Sequence, residues 1–229
     1  MVRAAAIALV VVLAVPALAD PAPAVHRQVD LPTTSLFDAQ GMGPGSVRFA
    51  LAAGFPYVQG MAGVGLSRAL DLDFNVDTLY GAATQLGLGP KMKVVGDQSL
   101  ALAVGVQGQW TGFRNPAFAE SSSGARHITG LRDWGIQPSA VVSSRGRAGS
   151  IFGVAQLQFT YSTEPELGGP LAGGSIDTWG TNLGIFVGGE LNSSSSLVHA
   201  YGLVGIDLHF RTGDSPALPR LEVGFTFPG

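Results

Sequence analysis

The stretch Leu197–Arg211 has two unlike faces. Its even positions, Val198, Ala200, Gly202, Val204, Ile206, Leu208 and Phe210, carry no polar side chain, while its odd positions include His199, Tyr201, Asp207, His209 and Arg211. Side chains alternate across a strand with period two, so this spacing predicts a strand with one apolar and one ionisable face. Leu218–Phe227 repeats it, with Leu221, Val223, Phe225 and Phe227 on one face and Arg220, Glu222 and Thr226 on the other. The cleanest alternation is Leu70, Leu72, Phe74 and Val76 against Asp71, Asp73, Asn75 and Asp77. A helix would scatter those carboxylates around its circumference, whereas a strand gathers them on one face. The same period runs through 83–95, where Leu86, Leu88, Met92 and Val94 oppose Gln85, Lys91 and Lys93, and through 99–113, 128–143, 150–161 and 176–191. It is weakest over 46–66. There Val47, Phe49 and Leu51 oppose Arg48, but Arg48 to Ala53 also tolerates a helix. The count is therefore ten strands, or eight if 46–66 supplies none.

The connections sort into two kinds. Tight turns are expected at 67–69, 96–98, 145–147 and 192–195, and longer loops at 114–127, 163–175 and 212–217. Short turns alternating with long loops, and strands with one apolar face each, predict an all-β chain: a single transmembrane antiparallel up-and-down β-barrel over 46–229 with its apolar faces on lipid. Trp110, Trp134, Tyr161 and Trp179 fall near the long-loop ends, where amphipathic aromatics suit a membrane interface.

Composition agrees with this. Charged residues are 13% of the 229, about half the share of a typical soluble domain, and there are 33 glycines. A net charge of -3 with no basic stripe speaks against a nucleic-acid partner. The absence of cysteine excludes disulfides and thiolate metal sites. Residues 1–19 read as a signal peptide: Arg3, an apolar run from Ala4 to Val15, and a small-x-small site at Ala17–Ala19. Residues 20–45 read as a Pro-rich, flexible periplasmic lead that touches the barrel mouth. No later run of about 20 apolar residues exists, so spanning by a helix is not expected.

Taken together, Ser46 to Phe227 resembles a small bacterial outer-membrane β-barrel of the OmpA-like and OmpW-like type. The ending Phe225-Thr-Phe227 resembles the aromatic-x-aromatic signal read by the barrel-assembly machinery, although Glu222 stands where that signal carries glycine, and Pro228 and Gly229 follow it. The resemblance implies an outer-membrane location, with membrane lipid and the assembly machinery as partners.

The inward positions are where chemistry could sit. Asp207-Leu-His209, with Asp71 and Asp73, resembles the paired residues of omptin proteases, which implies a barrel hydrolase as the least favoured alternative. The favoured reading is a charged interior: Arg48, Asp71, Asp73, Asp77, Lys91, Lys93, Glu190, Asp207, His209, Arg211, Arg220 and Glu222 share the lumen and pair there, because isolated buried charges are costly. Within it, Asp71, Asp73 and Asp77 are expected to face Lys91 and Lys93 across two strands. No G-x-S-x-G motif occurs, and His199 and His209 are ~30 Å apart along one strand, so neither a serine hydrolase nor a metal site is expected, and no cofactor is implied. Small inward residues (Ala50, Ala52, Gly63, Gly65, Ala101, Ala103, Gly105) could leave a thin passage or let charged partners reach across. These give the two functional expectations: a largely side-chain-filled barrel with a structural or surface-loop role, and a narrow porin-like channel.

Overall fold

The computed structural model describes residues 36–55, 57–78, 83–97, 99–113, 132–146, 148–165, 175–191, 198–210 and 217–229. Among them there is no helix. Ten antiparallel strands follow one another: β1 (Val47–Phe55), β2 (Val58–Gly65), β3 (Leu70–Thr78), β4 (Ala83–Gly96), β5 (Leu100–Phe113), β6 (Arg132–Arg145), β7 (Gly149–Pro165), β8 (Ser175–Leu191), β9 (His199–His209) and β10 (Ala217–Pro228). Each pairs with its sequence neighbours, and β1 pairs with β10 from Arg48↔Pro228 to Phe55↔Leu221, closing the barrel. Closure removes the sheet edge and satisfies the backbone of every strand.

The weak alternation of 46–66 is thus two strands, and the count is ten rather than eight. β1 shows why the pattern holds: Arg48, Ala50 and Ala52 are buried, while Phe49, Leu51 and Phe55 are exposed. Three expected boundaries move. β7 and β8 run further than expected, into the region taken for the loop 163–175, and Arg145, expected in a turn, ends β6. The expected loop 114–127, most of 163–175 and nearly all of 212–217 lie outside the described residues, as do the signal peptide and residues 20–35.

The connections define two ends. The closes of β2, β4, β6, β8 and β10 lie with the starts of β1, β3, β5, β7 and β9 at the short-turn end, and the opposite strand ends lie at the long-loop end. Every strand presents large apolar side chains outward, among them Leu51, Val64, Phe74, Leu88, Val104, Trp134, Ile151, Val187, Val204 and Val223. At the long-loop end Trp110 pairs in register with Trp134, Trp134 with Tyr161, and Tyr161 with Trp179. These aromatics form one continuous row across β5–β8, and the rings of Tyr161 and Trp179 lie 5.0 Å apart.

Residues 36–42, assigned from the sequence to the flexible lead, are packed inside the barrel, and Pro44 and Gly45 after them are exposed. Leu36 and Met42 join Ala50, Ala52 and Tyr201 in one buried cluster, and Ala39 joins Ala101, Ala103 and Val141 in another. Gly41, Gly43 and Gly45 have φ of 69°, 81° and 79°, a left-handed backbone that glycine adopts without strain. These turns let the segment coil within the lumen before Ser46 leads into β1.

Candidate functional site in the barrel interior

The lower interior, at the short-turn end, is built around residues 36–42. Phe37 lies between Phe152, with ring centroids 5.2 Å apart and nearly parallel, and Tyr201, at 4.3 Å. Asp38 is fully buried; its carboxylate accepts hydrogen bonds from the Ser143 hydroxyl and the Arg145 guanidinium, and from the Gln40 backbone N–H at 3.0 Å. The Ala39 N–H donates to Ser143 Oγ at 3.0 Å, and the Met42 N–H donates to Asp71 Oδ1 at 2.9 Å. Lys91 Nζ donates to the Leu36 carbonyl at 2.7 Å, Lys93 Nζ donates to Gln40 Oε1 at 2.8 Å, and Gln40 donates in turn to the Asp97 carbonyl. Three strands (β3, β4 and β6) and one turn thereby hold residues 36–42, in part through charge-assisted hydrogen bonds, which are stronger than neutral ones.

Most of the small inward residues border the inner segment. A Cβ on Gly63 would meet Leu36 and Met42, and one on Gly65 would meet the Gly43 backbone. Ala50, Ala52, Ala101 and Ala103 likewise touch this segment's clusters. Small side chains on β1, β2 and β5 make the room that this segment occupies.

The expected charge network is present in part and differently wired. Lys91 faces Asp71 at 3.7 Å and Asp73 at 3.4 Å, as the cross-strand register predicts. Lys93 instead reaches Gln40, and Asp77 accepts a hydrogen bond from Asn75 at 2.9 Å and lies in the field of Arg220. Glu222 pairs with Arg220 at 2.5 Å. Glu190, 1% exposed, accepts a hydrogen bond from Thr226 and faces His199 Nδ1 at 3.3 Å, with Arg48 in electrostatic reach. Asp207 borders the upper interior. The backbone of His209 pairs with Asn182 at the end of β9; nothing is described of its side chain, and Arg211 lies outside the described residues.

Sequence reasoning left out the inward aromatic core and the amide belt. Phe152, Phe186 and Leu203 are buried on the inner face. The signal is in the glycines: a Cβ on Gly184, Gly188 or Gly205 would strike one of these rings. Above the core, Gln109, Gln137 and Gln156 are joined side chain to side chain, Gln158 bonds Gln109, and Asn182 bonds Gln158. Between core and belt is a cavity of about 190 Å³, floored by Leu36 and Phe37 and bordered by Tyr57, Asn75, Asp77, Phe186, Asp207 and Arg220 among others.

Phe225 and Phe227, the expected assembly signal, belong to the outer face of β10. Phe227 stacks on Phe49 at 5.9 Å across the β1–β10 closure.

No family model matches this chain, and no curated protein matches it. Two solved structures are similar in outline. One is a bacterial polysaccharide outer membrane secretin, at TM-score 0.41 and 12% identity, over 78% of this chain and 57% of that one. The other is a mutant ferric enterobactin receptor from Pseudomonas aeruginosa, at TM-score 0.39 and 10% identity, over 82% of this chain and 37% of that one. The chain spans little more than half of the first and about a third of the second.

Proposed function

We propose that the chain is an integral outer-membrane β-barrel whose lumen is filled by charged side chains and by residues 36–42, with a structural role or a role of its long-loop end. The observation that carries the membrane reading is the outer belt. All ten strands turn large apolar side chains outward, Leu51 at 60% exposure, Val223 at 62% and Ile151 at 67%. In water such a surface would be a severe aggregation liability, because soluble monomers rarely expose apolar patches beyond a few hundred Å². In a bilayer it is the favourable arrangement, and the Trp110–Trp134–Tyr161–Trp179 row sits where an interface girdle belongs. The signal peptide read in residues 1–19 and the Phe225-Thr-Phe227 ending support delivery to that membrane.

The filled-lumen reading rests on the packing of residues 36–42. A narrow channel would require that segment to leave, breaking the buried Asp38–Arg145 pair. Two measurements test the proposal. The protein folded in detergent should migrate faster unheated than boiled, and should give no steady open-state current in a planar bilayer. A sustained current from the intact chain would replace the filled barrel with the channel. Leu51→Arg, at the middle of β1, should cost about 2–4 kcal/mol in lipid. A soluble protein would tolerate that exposed change within about 0.5 kcal/mol.

A further inference from the structure

We propose that the cavity between the amide belt and Phe37 binds a small organic cation, a primary amine or diamine. Three independent observations converge there. The first is charge. Asp73, Asp77 and Glu222 border the cavity, with Asp71 on the same lysine as Asp73, against Lys91 and Arg220; Asp207 also borders it and lies in the field of Arg220. Both cations already have partners: Lys91 lies 3.4 Å from Asp73 and 3.7 Å from Asp71, and Arg220 lies 2.5 Å from Glu222. Carboxylates in surplus within a poorly hydrated interior favour a further cation.

The second is a pair of acceptors without donors. Asn75 is 8% exposed and borders the cavity; its amide nitrogen is used on Asp77 at 2.9 Å, and its Oδ1 has no hydrogen-bond partner. Asp73 Oδ1, two residues earlier on the same strand, is also buried without one, whereas Asp77 has the side chains of Gln59 and Asn75 as donors. A buried acceptor lacking a donor is destabilising, and an ammonium group brings three donors. The belt amides are already bonded to one another, so what the site still lacks is donors. That favours a cation over an anion or a neutral acceptor.

The third is the company Arg220 keeps. Its guanidinium carbon lies 5.5 Å from the Tyr57 ring centre and 5.1 Å from that of Phe186, and both rings border the cavity. One wall therefore already holds a cation between aromatic faces and carboxylates, the chemistry by which amines are recognised. Among the described residues no three His, Cys, Asp or Glu are grouped to hold a metal ion. The apolar rings also offer a metal nothing, whereas they suit the methylenes of an alkylamine.

The site rests on the filled-barrel reading for its closed floor, and the test separates the two. The full chain, folded in detergent at constant ionic strength, is titrated calorimetrically with 1,4-diaminobutane, and in parallel with glucose, glutarate and magnesium chloride. Saturable binding of the diamine alone is expected. It should weaken about tenfold in Asp77→Asn and about tenfold in Asp207→Asn, each checked for heat-modifiable migration so that either variant serves if the other fails to fold. Asp97→Asn, on an exposed turn, should bind as the wild type does. Absence of saturable binding, undiminished binding in the folded variants, or equal binding of glucose or magnesium would overturn the proposal. A current in planar bilayers with diamine binding intact would overturn the filled lumen only; a silent bilayer without diamine binding would overturn the cation site only.

Discussion

The two halves of the interior solve the same problem by different chemistry. At the short-turn end, charges are buried, and three cations are matched to fixed partners: Arg145 to Asp38, Lys91 to Asp71, Asp73 and the Leu36 carbonyl, and Lys93 to Gln40. Residues 36–42 fill the space, so water cannot solvate those groups. Towards the long-loop end the same inward positions carry Gln109, Gln137, Gln156, Gln158 and Asn182, neutral groups that bond one another around a cavity. Neutral amides can exchange a lost partner for water at little cost, and buried ions cannot. Tight packing therefore goes with charges held in fixed pairs, while the cavity is shared by the amides with Asp77, Asp207, Arg220 and Glu222, and the lower half should be the rigid half.

Substitutions can break that contrast. The largest effect is expected from Asp38→Ala, which leaves Arg145 without its buried carboxylate and should cost about 3–5 kcal/mol in urea unfolding of the lipid-reconstituted barrel. A loss below about 1 kcal/mol would mean that residues 36–42 are not locked in place. Phe37→Ala removes the stack between Phe152 and Tyr201 and part of the cavity floor; about 2–4 kcal/mol should be lost, with transient openings in bilayer recordings that the wild type lacks. Gln137→Ala, in the other half, should cost only about 1 kcal/mol, because the Gln109 and Gln156 amides that it leaves are neutral. A loss as large as that of Asp38→Ala would erase the distinction between the halves.

The smallest effect lies outside both, at the turn after β4. The carboxylate of Asp97 accepts the Leu100 N–H at 3.0 Å and the Ser99 hydroxyl and N–H at 2.8 and 2.7 Å, which hold its pKa below the ordinary carboxylate range. A depressed folded-state pKa contributes stability that is present above the unfolded value and is lost as pH falls through the folded one. Acid titration of wild type against Asp97→Asn should therefore diverge only above that window, and slightly, since the group is exposed. A divergence that grows towards lower pH would refute the assignment.

Most of the fold was legible because a strand's period is short and local. Leu70–Asp77 reveals its two faces without reference to any other residue, and an apolar outer face with a polar inner one already implies closure. Lys91 opposite Asp71 and Asp73 was likewise readable, since adjacent strands joined by a tight turn fix their own register. Less was readable where the partner is distant in sequence. Lys93 looks identical to Lys91 along β4, yet its partner is Gln40. Phe186 falls on the face that alternation marks as polar, and only the ring-sized gaps left by Gly184, Gly188 and Gly205 account for it.

The sequence by itself therefore determined the strands and their two faces, one apolar and one polar, because alternation is a property of neighbouring residues. What fills the lumen was decided only by the tertiary structure. Ala39-Gln40-Gly41-Met42 has no periodicity and looks like linker. Its place inside the barrel depends on small residues on β1, β2 and β5 and on charges on β4 and β6, brought around it only when the sheet closes.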